Sequence, residues 1–259
     1  MYATERQEQI ERRLAEAGRV SVVELAERFD VTTETIRRDL DHLESLGALR
    51  RVHGGAVPAD RASTREPSLT ERLLRHGEAK TAIAARALDA LTDGFSGSVF
   101  LDAGTTTAAV ATQLAPRLAT DRIEVVTHSL TLGHALAGVR GASLTLLGGR
   151  VRGITAAAVG ADTVRAIEGL RPDVAFIGTN GVSAGFGLST PDPDEAAVKR
   201  AIVQAARRVV VVADAEKHGA ELLVGFAALG DIDILVTDAA PDPELASALA
   251  DAEVEVWIA

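Results

Sequence analysis

Two groups of residues have types and spacings that could do chemistry. The first is the run Thr33-Glu-Thr-Ile-Arg-Arg38, followed closely by Arg50, Arg51 and His53. Arginine can bridge guanine O6 and N7, and threonine can touch bases or phosphates. Thr33, Thr35, Arg37, Arg38, Arg50, Arg51 and His53 are therefore candidates for reading nucleic acid. The second group is a series of loops rich in glycine and hydroxyls. In Asp102-Ala-Gly-Thr-Thr-Thr107, Gly104 allows close approach, and Thr105, Thr106 and Thr107 open a helix whose first amides suit an anion. Thr127-His128-Ser129, then Gly148-Gly149 with Arg150 and Arg152, then Gly178-Thr-Asn180-Gly181 offer similar donors. Glu195 and Lys199 are four apart and share a helix face. Asp214 and Lys217 close the series. Arginine is the usual cation here, with lysine only at Lys80, Lys199 and Lys217. A lysine beside such loops suits a phosphate monoester.

Each feature also has a plain reading. Threonine commonly caps helices, and an i, i+4 Glu–Lys pair is most often a surface salt bridge worth a few tenths of a kcal/mol. The phosphate reading gains because several such loops fall at one edge of the expected sheet. The histidines form no cage: His128 and His134 are six apart, poor spacing for one helix face, and no third ligand converges. No metal and no cofactor are expected. His42 and His76 read as surface residues, His218 as a loop residue or pocket rim, and Trp257 as core.

The elements must position these groups. Residues 1–57 read as three short helices and a hairpin. Thr4 caps a helix to residue 17, and Ser21 with Glu24 has capping-box spacing for a second over 21–29. A third starts at Thr32 or Thr33 and runs to 46, with Ile36, Leu40 and Leu43 inward; a hairpin turning at Gly54-Gly55 follows. This is a winged helix-turn-helix outline, whose third helix would enter a major groove. Residues 58–70 carry two prolines and read as a linker. Beyond a helix over 78–92, strands over 98–102, 123–127, 143–147, 173–177, 208–213, 233–237 and 253–258 alternate with helices over 105–118, 130–137, 161–169, 192–207 and 243–251. Such alternation predicts a mainly parallel α/β sheet with ligands at the strands' carboxyl ends.

Composition narrows the function. The 259 residues are 47% hydrophobic and 3% aromatic, so a large core is feasible and aromatic stacking platforms are not. Cysteine is absent, which removes disulfides, thiolate metal sites and thiol nucleophiles. No apolar run approaches the roughly 18 residues of a membrane span, and the charged N-terminus has no signal core. A cytoplasmic protein without membrane association is expected. The net charge of −10 means that DNA binding must rest on a local patch. Residues 1–57 hold nine Arg against eleven acids, so their charge favours neither DNA binding nor a dimerisation module.

The run Thr35-Ile-Arg-Arg-Asp-Leu40 with Leu43, Gly47 and Arg51-Val-His-Gly-Gly-Ala56 resembles the DNA-binding signature of the DeoR family of bacterial transcriptional regulators. The likeness spans almost all of residues 4–57. Asp30 departs from it, standing where many members have glycine. Residues 71–259 resemble the family's sensor domain, which shares its fold with ribose-5-phosphate isomerase and CoA transferases. By that resemblance, Asp102 with Gly104, Thr105 and Thr106, then Gly148 and Gly149, Gly178 with Asn180 and Gly181, Glu195 with Lys199, and Asp214 with Lys217 line a sugar-phosphate pocket. Two positions depart: Thr127-His128 stands where Thr-Asn is usual, and Glu216 precedes Lys217 where serine is usual. The stretch ending Thr-Pro-Asp-Pro-Asp-Glu195 resembles the fructose-operon repressors, which implies fructose 1-phosphate as effector.

The expected domains are thus a winged helix-turn-helix over 1–57, a linker over 58–70 and an effector-sensing domain over 71–259. The expected function is a non-enzymatic, homo-oligomeric repressor of a sugar-catabolic operon, with operator DNA and a phosphorylated sugar as partners. Two alternatives stand beside it: a sugar-phosphate isomerase with an accessory helical module, its base Glu195 or Asp102, and an interaction module without ligand.

Overall fold

The computed structural model describes residues 3–52, 54–58, 63–64 and 66–259, without the side chains of 15–17. The chain divides into two compact units, Met1–Arg65 and Glu66–Ala259. Residues 66–70, within the stretch read as a linker, therefore belong to the body of the second unit.

The first unit runs α1 (Ala3–Ala17), β1 (Val20–Ser21), α2 (Val22–Phe29), α3 (Thr33–Ser45), β2 (Leu49–Val52) and β3 (Gly55–Pro58). Helical spacing puts Ile10, Leu14, Leu25, Phe29, Ile36, Leu40 and Leu43 into one core with Leu49. The strands form an antiparallel sheet in the order β1-β3-β2. This is the winged helix-turn-helix. Two expected caps differ. Thr4 lies inside α1. Ser21 makes no side-chain cap, because β1 pairs it with Gly55 and the Gly54 carbonyl takes the Val22 amide at 2.8 Å. The hairpin thus does the capping box's work. Asp30 ends α2 in the left-handed region at φ 51°, a conformation aspartate tolerates better than most residues.

The second unit continues with α4 (Leu69–Leu74), α5 (Gly77–Ala87), β4 (Gly97–Leu101), α6 (Thr105–Leu114), β5 (Ile123–Thr127), α7 (Leu130–Ala137), β6 (Ser143–Leu146), β7 (Arg150–Arg152) and β8 (Ala157–Val159). Then come α8 (Ala161–Glu168), β9 (Val174–Gly178), β10 (Gly181–Ser183), β11 (Gly187–Thr190), α9 (Pro193–Ala205), β12 (Val209–Val212), β13 (Val224–Ala227), β14 (Ile234–Thr237), α10 (Pro243–Asp251) and β15 (Glu255–Ile258). The seven expected strands form one parallel sheet ordered β15-β14-β12-β9-β4-β5-β6. Both faces are covered. Val209 and Val211 pack into one core with α8, α9 and α10, while Val210 and Val212 pack into another with α5, α6 and α7. A continuous valine run therefore serves two cores through the strand's period of two.

Two small antiparallel additions were not expected: the ribbon β7-β8 and the sheet β10-β11-β13. Their strands have three or four residues, too short for a pattern to stand out. Strand order reverses between β4 and β9, since β5 and β6 extend one way and β12, β14 and β15 the other. At such a switch point neighbouring loops diverge and leave a crevice at the strands' carboxyl ends.

Candidate functional site

On the first unit, α3 begins at Thr32, whose Oγ1 accepts the Thr35 amide at 3.2 Å. Asp39 is buried and pins α3 to α1, accepting from Arg6 Nε at 2.5 Å and Gln7 at 3.0 Å. That leaves Thr33, Glu34, Arg37 and Arg38 exposed, with Thr35 half-buried. Glu34 lies 3.8 Å from Arg37 and 3.5 Å from Arg38. Such exposed pairs are weak, so both guanidinium groups can exchange Glu34 for another partner. Arg50 is exposed on β2. Arg51 differs from its expected place: its guanidinium pairs with Asp41 and its amide donates to Glu44 at 2.7 Å, so it braces the wing against α3. His53 lies outside the described residues.

On the second unit, a cavity occupies the switch-point crevice. The loop after β4 supplies Gly104, Thr105, Thr106 and Thr107. Gly104, at the N-cap of α6, gives no side-chain cap, so first-turn amides of the helix remain available to an anion. The loop after β9 supplies Gly178, Thr179 and Asn180, α9 supplies Glu195 and Lys199, and the loop after β12 supplies Asp214, Glu216 and Lys217. Asp102 lies beneath this floor. Its Oδ2 accepts from Lys199 Nζ at 2.5 Å and from the Gly178 amide at 3.0 Å; its Oδ1 is 3.0 Å from His128 Nε2. Burial alone would raise the Asp102 pKa, but Lys199 and His128 outweigh it and hold the carboxyl at about 2. Asp102 thereby ties β4 to β9 across the switch point.

Several expected contacts fall elsewhere. Glu195 does not pair with Lys199; it bonds Arg152 at 3.1 Å, and Arg152 also holds Glu66 at 2.5 Å and Asp192 at 3.1 Å. Burial disfavours the Arg152 charge, yet these acids raise its pKa further. His128 and Ser129 follow β5, on the far side of β4. His128 Nδ1 lies 2.8 Å from the Ala158 carbonyl, and Ser129 caps α7. Neither lines the cavity. Gly148 and Gly149, after β6, do not line it either. The Gly148 carbonyl accepts from Thr163, and a Cβ on Gly149, at φ 156°, would come within 2.0 Å of Thr163 Oγ1. A Cβ on Gly181 would meet the Ala220 carbonyl at 2.2 Å. These two glycines permit close packing. Trp257 is half-buried against the core, under Arg86 at 4.8 Å. His218 is buried, 3.1 Å from Thr237 Oγ1, and does not line this cavity.

The sequence reading missed one wall. Pro67, Arg72, Arg75, His76 and Lys80 line the cavity from the α4–α5 side. His76, read as a surface residue, meets Glu216 at 3.0 Å. Burial pushes the Lys80 ammonium below the usual lysine range, opposed by Asp214 and assisted by Lys217 and Arg72. Its rarity in an arginine-rich chain was the available signal; Arg72 carried none. Among the described residues no group of three or more His, Cys, Asp or Glu is placed to hold a metal ion, and no helix is long and apolar enough to cross a membrane.

The arrangement offers surplus cations and helix-start amides to a small anion, with Asn180 beside them; the Thr179 hydroxyl is taken up by the Gly181 and Ser189 backbone. Comparison with known proteins agrees with a two-part reading. Residues 6–62 match the DeoR-like helix-turn-helix domain, and residues 75–239 match the DeoR C terminal sensor domain. The chain is 37% identical to the HTH-type transcriptional regulator GlpR of Haloferax volcanii, over 99% of this chain and 98% of that one. It is 30% identical to the Glycerol-3-phosphate regulon repressor of Escherichia coli, over 99% of each. Among solved structures, ribose 5-phosphate isomerase A from Methanocaldococcus jannaschii aligns at a TM-score of 0.40 and 19% identity, over 55% of this chain and 54% of that one.

Proposed function

The chain belongs to the DeoR family of transcriptional regulators, and from that premise we propose that it is a cytoplasmic repressor of a sugar-catabolic operon, released from DNA by a phosphorylated sugar held at the β4–β9 switch point. One observation carries the reading: the α6 N-terminus without a side-chain cap opens into the same cavity as Lys217, Arg72 and Lys80. Phosphate oxygens accept from such amides and cations, while Asn180 and Asp214 suit sugar hydroxyls. The regulon named for the Escherichia coli relative supports a phosphorylated effector. The resemblance of the stretch ending at Glu195 to the fructose-operon repressors supports fructose 1-phosphate as one candidate effector.

The isomerase alternative needs a free carboxylate base. Asp102 is committed to Lys199 and the Gly178 amide, and Glu195 to Arg152, which tells against these two as the base. A thermal-shift panel with fructose 1-phosphate, sn-glycerol 3-phosphate and other sugar phosphates tests the reading. A ligand at about 100 times its Kd stabilises by about 2.7 kcal/mol. A flat response across the panel defeats the sensing function. Lys217→Ala is expected to weaken effector binding and leave operator affinity unchanged, giving a repressor that no longer lets go. Fluorescence anisotropy on operator DNA, with and without the effector, reads this out; normal release removes Lys217 from the site.

A further inference from the structure

Residues 66–76 follow directly on the connection between the two units, and they are built into the cavity wall through Pro67, Arg72, Arg75 and His76. Nε and Nη2 of Arg72 are shielded from solvent and have no hydrogen-bond partner. Buried guanidinium donors left unsatisfied are costly, and an anion accepting from both removes that cost. Lys80 binds the carbonyls of Arg72 and Arg75, so α5 holds this end of the segment from below. At the other end, the buried Glu66 is fixed by Arg152, the guanidinium that also holds Glu195 on the cavity wall. Both ends of the segment therefore answer to the cavity.

We propose that residues 66–76 are the arm that carries cavity occupancy toward the DNA-reading unit, with Arg72 as its ligand contact and Arg152 as the positioning residue that anchors its start. The idea rests on the sensing function above and names its regulation. Arg72 donates through Nε and Nη2 to two oxygens of the effector phosphate. That pair of bonds exists only in the occupied arrangement, and a ligand shifts an equilibrium only by such a difference between states. The Glu66–Arg152–Glu195 junction ties the start of the arm to the cavity wall, so a shift of that wall is felt at Glu66, beside the connection.

The test uses the full-length protein, titrating fructose 1-phosphate, sn-glycerol 3-phosphate and inorganic phosphate by calorimetry, with anisotropy on a duplex from its own promoter region. Arg72→Gln is expected to weaken sugar-phosphate binding by about 10- to 100-fold, the worth of charge-assisted hydrogen bonds. Arg72→Lys, which keeps charge but loses the planar fork, recovers part of that loss and guards against misfolding as the cause. DNA affinity without ligand stays at the wild-type level in both. Glu66→Gln is expected to retain ligand affinity within about threefold, a change under 1 kcal/mol, while the ratio of DNA affinities with and without ligand shrinks. A merely structural Glu66 lowers Tm and leaves that ratio intact. Arg72→Gln binding as tightly as wild type, or Glu66→Gln releasing DNA as fully as wild type, overturns the arm. Failure of wild type to bind any of these phosphates overturns the sensing function itself, and the arm with it.

Discussion

Asp102 shows how one carboxylate can organise a cavity from beneath its floor. Lys199, the Gly178 amide and His128 all converge on it. Removing its charge leaves the Lys199 ammonium buried and unpaired. Asp102→Asn should therefore cost about 3–5 kcal/mol in urea unfolding at neutral pH. The folded pKa, about 2, lies below the ordinary 3.8, so the stabilisation is complete above about pH 4 and fades as pH falls toward 2. The gap between wild type and Asp102→Asn should narrow over that window by about 2 kcal/mol, and a gap constant with pH would contradict the pairing. On the DNA side, Arg37 projects from the exposed face of α3, whereas Arg50 lies on the wing. Arg37→Ala should relax base specificity, and Arg50→Ala should weaken binding on every sequence. Gel-shift titration over operator variants separates the two; equal losses on all sequences for Arg37→Ala would remove its base-reading role.

At the scale of elements, α3 and α6 begin differently, and the difference follows their tasks. Thr32 caps α3 with its own side chain, which fixes the start of the helix proposed to enter the groove. Thr32→Ala should cost about 1 kcal/mol, read by thermal unfolding, and should weaken DNA binding more than effector binding. α6 has no side-chain cap, which suits its proposed task of offering amides to an anion. The loops after β5 and β6 carry the same residue types as those after β4 and β9, yet they serve packing. Gly149→Ala should destabilise through its clash with Thr163 and its unfavourable φ. Effector affinity in the folded fraction should be unchanged, because the loop lies off the cavity; a selective loss of affinity would restore it to the site.

For the whole molecule, an acidic chain that binds DNA must concentrate its few useful cations. One wing module buries too little surface for operator affinity, so the functional unit is proposed to be a dimer or larger, reading a two-fold symmetric site. Sedimentation of the protein–operator complex should show at least two chains per site, and its affinity should fall steeply with salt. Coupling between effector and operator need amount to only about 1–3 kcal/mol. Glu66 and Arg152 sit where a shift of that size can pass from the cavity to the connection.

The sequence by itself determined what periodicity and local chemistry control. Helical spacing of Ile36, Leu40 and Leu43 set α3, the valine run 209–212 marked a strand buried on both faces, and the hydroxyl-rich loop after β4 marked one wall of the cavity. These follow from interactions between residues near in sequence. Strand order is not local, and only the tertiary structure decided that β9 and not β5 flanks the crevice with β4. That choice kept Asn180, Glu195 and Lys217 at the cavity and sent His128, Ser129, Gly148 and Gly149 into packing. It also folded Arg72 and Lys80 onto the cavity, one from the stretch between the expected linker and helix, the other from the start of that helix. Side chains that meet across more than a hundred residues leave no spacing to read, since their partnership exists only once the sheet has formed.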